Sequence, residues 1–362
     1  MADRAEIVLD IRDLDISFKS PAGLIHAIRG VNMTLRKGET LAVVGESGSG
    51  KSVTMRAVMG ILAKNTIINS GEIFFTYLDS DKNSKTEDLL KKDRVWRESN
   101  INGRRISMVF QDPMTSLNPT MKIGWQLEAA ILSHYRMSRK EASSKALRLL
   151  TEVGITDPES RMQQYPHQLS GGMRQRVVIA IALSCDPQVL ICDEPTTALD
   201  VTVQEKILQL IRRIQVEREL SVVFITHNMG VVANMADYVN VMYAGKIVEA
   251  GTIIDVFYDP RHPYTWGLLS SIPDVDSEGA ELFSIPGTPP DLKKQIVGDT
   301  FAPRNPYAME IDFKAEPPVF KISESHYAAT WLLDERAPKV ERPESLEKRI
   351  RRLREEAREY VG

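Results

Sequence analysis

The chain has 362 residues, 43% of them hydrophobic, which is enough to bury a full core in two domains or one elaborated domain. A net charge of -3 shows no bias toward nucleic acid, and two cysteines exclude a disulfide framework or a cysteine-rich metal site. No apolar run approaches the roughly 18 residues that span a bilayer, and Met1-Ala2-Asp3 does not open as a signal peptide.

In chain order, Ile7 to Ile16 and Thr40 to Val44 read as strands. The second runs into Gly45-Glu46-Ser47-Gly48-Ser49-Gly50-Lys51-Ser52, a glycine-rich loop whose backbone N–H groups are suited to wrap a triphosphate. Lys51 would reach the terminal phosphates and Ser52 would hold Mg²⁺. Val53, Met55, Val58 and Ile61 then place an apolar stripe at helical spacing, so the anion would lie at a helix N-terminus. A simple glycine turn would leave Lys51 and Ser52 unexplained.

Glu72 to Tyr77 and Ile106 to Phe110 are strand-like and bracket a polar stretch, Asp79 to Arg105, that reads as surface insertion and helix. From Asp112 to Gln168 the pattern is helical, with helices at Ile123 to Tyr135 and Lys140 to Val153. Alternation then resumes with helix Arg174 to Ser184, strand Val189 to Cys192, helix Val203 to Val216 and strand Ser221 to Ile225. Such alternation implies a parallel sheet covered on both faces, with its chemistry at the C-terminal strand ends. One strand ends in Asp193-Glu194, giving one carboxylate to support Mg²⁺ and one beside an attacking water. The next ends in Thr226-His227, which puts an imidazole near the γ-phosphate. A lone histidine after a strand is usually structural; its place one helix and one strand after the acid pair reverses that reading. Beyond Gly251 the chain is proline-rich and reads as an irregular extension. It closes on Leu346, Ile350, Leu353 and Ala357, the stripe of an amphipathic helix that packs on the extension.

The order of phosphate loop, Gln111, Leu169-Ser170-Gly171-Gly172-Met173, Asp193-Glu194, Ala198-Leu199-Asp200 and His227 resembles the nucleotide-binding subunit of ATP-binding cassette (ABC) transporters. The likeness covers roughly residues 7 to 250. Gln111 to Pro119 and Arg261-His262-Pro263-Tyr264-Thr265 further resemble the oligopeptide and dipeptide importer branch, in particular its first ATPase subunit. The resemblance implies an α/β P-loop NTPase with a RecA-like, mostly parallel core, an antiparallel β subdomain, an inserted helical subdomain and a C-terminal extension. The corresponding boundaries are 1–111 and 169–250 for the core, 112–168 for the helical part and 251–362 for the extension.

For the site, the resemblance implies that Glu194 is the general base, Asp193 supports Mg²⁺, Gln111 touches Mg²⁺ and the water, and His227 senses the γ-phosphate. Phe18 would stack on adenine, although a strand phenylalanine also suits a core. Ser170, Gly171 and Gly172 would meet the nucleotide of a partner, and Asp200 is counted among the nucleotide-binding residues. ATP and Mg²⁺ are the implied ligands. The implied partners are a second cassette forming a heterodimer, two transmembrane permeases contacting the region Asp112 to Leu127, and an extracytoplasmic binding protein. No nucleic acid is implied. The chain would be peripheral on the cytoplasmic face of the membrane, powering peptide uptake. Alternatives are the same role with nickel, opine or oligosaccharide cargo, or an exporter cassette. Relatives carry four cysteines proposed to hold an iron–sulfur cluster. Here those positions are Asp299, Asn305, Asp312 and Thr330, so no cluster is expected, and the retained His326 is read as structural.

Overall fold

The computed structural model describes residues 6–21, 23–79, 81–197, 199–272, 285–294 and 296–359, except the side chains of 353 and 356–359. The chain opens with β1 (Ile7–Ser20), β2 (Gly23–Arg36), β3 (Thr40–Val44), α1 (Lys51–Met59), β4 (Thr66–Leu78), β5 (Ser84–Asp88), α2 (Arg94–Asn100) and β6 (Ile106–Val109). A helical run follows: α3 (Pro113–Ser116), α4 (Ile123–His134), α5 (Arg139–Glu152) and α6 (Pro158–Met162). Then come α7 (Gly171–Leu183), β7 (Val189–Asp193), α8 (Val201–Glu217), β8 (Ser221–Thr226), α9 (Met229–Met235), β9 (Tyr238–Tyr243) and β10 (Lys246–Thr252). The last elements are α10 (Ile253–Tyr258), α11 (Pro263–Ser270), β11 (Phe320–Lys321), β12 (Tyr327–Ala328) and α12 (Glu344–Glu359).

Among the described residues the strands form two sheets. One is antiparallel in the order β2-β1-β4-β5; the other runs β11-β12-β10-β9-β3-β8-β7-β6. In the second, β9, β3, β8, β7 and β6 are parallel neighbours. β3, β6, β7 and β8 are buried at every position, as expected for strands covered on both faces. Because side chains alternate along a strand, Leu41 and Val43 join the core against the antiparallel sheet and α1, while Ala42 and Val44 join the core under the C-terminal elements. Leu190 and Cys192 face the core shared with α4, α5, α7 and α8. Burial pushes the Cys192 thiol up to about 12, so it packs as a small apolar group.

Several local details depart from the sequence reading. The stripe assigned to α1 included Ile61, but the helix stops at Met59, Gly60 takes a left-handed cap and Ile61 is exposed. The stretch Asp79 to Arg105 is more built than a surface insertion: β5 pairs with β4, and Arg97 is buried, donating to the Leu89, Ala57 and Val58 carbonyls. α7 begins at Gly171, not Arg174, because Ser170 caps it by accepting the Met173 N–H at 3.3 Å.

The extension is folded onto the core. β12 pairs with β10 and so continues the large sheet. α12 packs on it through Leu346 and Ile350, both buried; the side chains of Leu353 and Ala357 lie outside the described residues. Asp299, Asn305, Asp312 and Thr330 are all buried. Their side-chain oxygens accept the N–H groups of Phe301 (3.0 Å), Tyr307 (3.0 Å), Met309 (2.7 Å) and Leu332 (3.3 Å) respectively. Four polar side chains thus hold the turns of the segment from within. Burial raises the Asp299 carboxyl to about 6. His326 is buried with its Nε2 2.8 Å from Glu249 Oε1.

Asp299 approaches closely enough for its N–H to reach the Asp312 carbonyl at 2.7 Å. The approach depends on Gly298, at φ +79°, where a Cβ would lie 2.2 Å from that same carbonyl oxygen. Gly298→Ala is therefore expected to destabilise the fold by at least about 2 kcal/mol, seen as a lowered melting temperature in a calorimetric scan. An unchanged melt would show that the turn relaxes freely.

Candidate nucleotide site

The sheet order brings the sequence motifs together. β3, β8, β7 and β6 are successive parallel strands, and from their C-terminal ends emerge the phosphate loop, His227, Asp193-Glu194 and Gln111. The loop is tightly fitted. A Cβ on Gly45 would lie 2.0 Å from the Met242 carbonyl oxygen, and one on Gly50 would lie 2.6 Å from Ile28 Cδ1. Gly50, at φ +106°, precedes α1 without a side-chain cap, so the helix's first N–H groups are left to a ligand. Gly48 is also left-handed (φ +80°), which curls the loop between Ser47 and Ser49.

Lys51 is buried, and its ammonium donates to the Gly45 carbonyl at 2.7 Å and the Glu46 carbonyl at 2.9 Å. Burial lowers its pKa, opposed by the charges of Glu194, Asp193 and Glu46. Ser52 Oγ donates to Asp193 Oδ1 at 2.7 Å. Burial raises the Asp193 carboxyl, and the Ser52 hydrogen bond pulls it back. A hydroxyl and a carboxylate in contact beside the loop are hard oxygen donors of the kind Mg²⁺ takes, so these residues fit that ion.

Glu194 follows β7 in a left-handed conformation (φ +46°), held by its N–H to the Ile225 carbonyl at 3.0 Å. Such backbone is uncommon for a non-glycine residue and aims the carboxylate away from the strand. Oε2 accepts from Gln111 Nε2 at 3.1 Å and from Thr197 Oγ1 at 3.0 Å, while Oε1 lies 3.2 Å from His227 Nδ1. Gln111, Glu194 and His227 therefore form one cluster. Thr197 was not singled out in the sequence, since a threonine after an acidic pair carries no periodic signal.

Ser170, Gly171 and Gly172 lie elsewhere, at the start of α7, and among the described residues no hydrogen bond joins them to the loop. They pack on the turn into α8: a Cβ on Gly172 would lie 2.7 Å from Val203 Cγ1, and one on Gly171 would lie 3.5 Å from Leu199 Cδ2. Asp200 caps α8 by accepting the Val203 N–H at 2.9 Å; Ala198 lies outside the described residues. Phe18 is half-buried in β1 opposite Ile25 and packs against the core beneath the antiparallel sheet.

The sequence also did not show that the loop is gripped from the extension. Glu46 donates its N–H to Tyr264 Oη at 2.8 Å, and its carboxylate is held by Arg304. Both residues are visible in the sequence within recognisable frames, but nothing local says what they touch.

Comparison with known proteins places the chain in a family. Residues 28–197 match the family model described as ABC transporter, and residues 248–311 match the one described as oligopeptide/dipeptide transporter, C-terminal region. The chain is 53% identical to the oligopeptide transport ATP-binding protein OppD of Bacillus subtilis, over 97% of this chain and 96% of that protein. It is also 53% identical to the dipeptide transport ATP-binding protein DppD of Lactococcus lactis, over 97% and 98%. A dimeric ATP-binding cassette solved in a post-hydrolysis state with ADP and phosphate superposes with a TM-score of 0.58 at 27% identity, covering 68% of this chain and 98% of the other. An ABC transporter component from Clostridium perfringens gives 0.56 at 29% identity, over 70% and 92%. By sequence and fold, the chain belongs to the ATP-binding cassette transporter family, within its oligopeptide and dipeptide transporter branch.

Proposed function

We propose that the chain is the ATP-hydrolysing subunit of a peptide importer, and that its site works as follows. The triphosphate lies in the loop 45–52, with Lys51 turning from the Gly45 and Glu46 carbonyls to the terminal phosphates. Ser52 and Asp193 hold Mg²⁺, with Gln111 beside them. Bound there, the ion neutralises charge on the phosphate oxygens. Glu194 takes the proton of the attacking water, and Gln111, Thr197 and His227 keep its carboxylate oriented. Phe18 covers the adenine. The observation that carries this reading is the convergence of four adjacent strand ends on one cluster.

Among the described residues no hydrogen bond joins Ser170 to Gly172 or Asp200 to the phosphate loop, which supports a site completed by a second cassette. Two ATP molecules would lie between two cassettes, binding would close the pair, and hydrolysis would reopen it. In this reading residues 1–111 and 169–250 form the core, 112–168 a helical part that rotates, and 251–362 an extension that folds without an iron–sulfur cluster. Among the described residues no helix is long and apolar enough to cross a membrane, so transport calls for separate permeases. Met114 and Trp125, both more than half exposed, offer them an apolar footing. The chain then acts at the cytoplasmic face of the membrane.

The test is capture of tagged Glu194→Gln protein from detergent-solubilised membranes with ATP present, followed by mass spectrometry. Two multi-span permeases, a second cassette and a peptide-binding protein are expected. Recovery of ribosomal or DNA-associated proteins without membrane subunits would overturn the transport role.

A further inference from the structure

Glu46, the second residue of the phosphate loop, is held from three directions. Its N–H donates to Tyr264 Oη at 2.8 Å. Its carbonyl accepts the Lys51 ammonium at 2.9 Å. Its carboxylate receives a fork from Arg304, Oε2 at 2.7 Å from one guanidinium nitrogen and Oε1 at 2.9 Å from the other. A bidentate guanidinium–carboxylate pair fixes orientation as well as distance.

Arg304 is itself immobilised. Its side chain is 5% exposed. Nε donates to the Pro286 carbonyl at 2.8 Å, and the two terminal nitrogens also reach Tyr243 Oη at 3.3 Å and the Ile285 carbonyl at 3.4 Å. With the fork to Glu46, all five donors of the guanidinium are used. It ends a tight turn, Ala302–Arg304, whose preceding residue Phe301 packs against Tyr243 and Tyr264 with ring centres 5.3 and 5.4 Å apart. A pair serving only to glue the extension to the core would work anywhere along that interface. This one ends on the residue whose carbonyl holds Lys51.

We propose that Arg304 is a positioning residue for ATP binding: together with Tyr264 it fixes Glu46, and through Glu46 the phosphate loop and Lys51, so that the C-terminal extension and the nucleotide site are energetically coupled. The proposal rests on residues 45–52 being the phosphate site. Coupling is reciprocal, so ATP that gains from a fixed loop must in turn steady the extension.

The experiment uses the purified full-length chain and its Glu46→Gln, Arg304→Lys, double and Lys51→Ala variants. MgATP affinity is titrated, and hydrogen exchange is followed in peptides spanning 299–312 with and without MgATP. Glutamine keeps the shape of Glu46 without its charge, and lysine keeps the charge of Arg304 without the fork. Each is expected to weaken MgATP about tenfold, within the usual range of coupling between sites. The double variant is expected to be no weaker than the worse single one. MgATP should slow exchange across 299–312 in the parent chain and not in Glu46→Gln. A lower melting temperature for Arg304→Lys, with parental affinity in both single variants, would make the pair structural glue and overturn the proposal. So would exchange in 299–312 that ignores nucleotide. Lys51→Ala separates the two failures: lost binding there with full binding in the clamp variants sinks only the clamp, whereas parental binding in Lys51→Ala sinks the phosphate-site reading on which it stands.

Discussion

Replacing Glu194 with glutamine is expected to leave MgATP affinity within about threefold of the parent and to lower steady-state turnover by at least about 10²–10⁴-fold, the usual contribution of a positioned general base. The geometry explains why shape survives the change. Gln111 Nε2 and Thr197 Oγ1 both donate to Oε2, so the carbonyl oxygen of a glutamine can take the place of Oε2 as their acceptor. Its amide would then face His227 Nδ1, 3.2 Å from the other oxygen, and a neutral imidazole can accept there. Only the proton-accepting charge is lost. The measurement is phosphate release by the assembled transporter together with nucleotide titration of the same preparation. Turnover equal to the parent would remove Glu194 from the chemistry.

Lys51→Ala should instead strike binding. Its ammonium is a buried cation balanced by Glu194, Asp193 and Glu46, and a charge-assisted hydrogen bond to phosphate contributes about 1.5–3 kcal/mol. Loss of one or two such bonds raises the dissociation constant for MgATP by about 10–10⁴-fold. In the nucleotide-free protein the change also strips the Gly45 and Glu46 carbonyls of their donor, so a thermal melt should accompany the titration. An affinity equal to the parent would remove residues 45–52 as the phosphate site.

The site was legible in the sequence in unequal parts. The phosphate loop, Asp193-Glu194 and His227 each lie at the end of a short, mostly apolar strand, so a local pattern sufficed to place them there. Their grouping followed from alternation, which forces a parallel sheet. β2 was not read directly: its alternation is broken by Gly30 and by shifts in pairing with β1, and the antiparallel sheet was anticipated only through family resemblance. Gly60 is the stop signal for α1 that the apolar spacing of Ile61 overrode. The polar replacements at Asp299, Asn305, Asp312 and Thr330 were visible as residues, while their work as turn-holding acceptors depends on a fold that no window of sequence contains. The same holds for Thr197 on Glu194 and for Arg304 on Glu46.

The Arg304–Glu46 pair joins positions 258 residues apart, and that separation has a meaning in time. On the ribosome the phosphate loop and its strand emerge early, and every nucleotide motif through His227 is made before Arg304 exists. Contacts between such distant positions form late, because the long intervening chain must first be ordered. A nascent chain halted after β10 would already own Lys51, Asp193 and Glu194, yet its loop would lack the guanidinium that braces it. Synthesis beyond Arg304 is thus a condition for bracing a loop whose Glu46 is made 258 residues earlier.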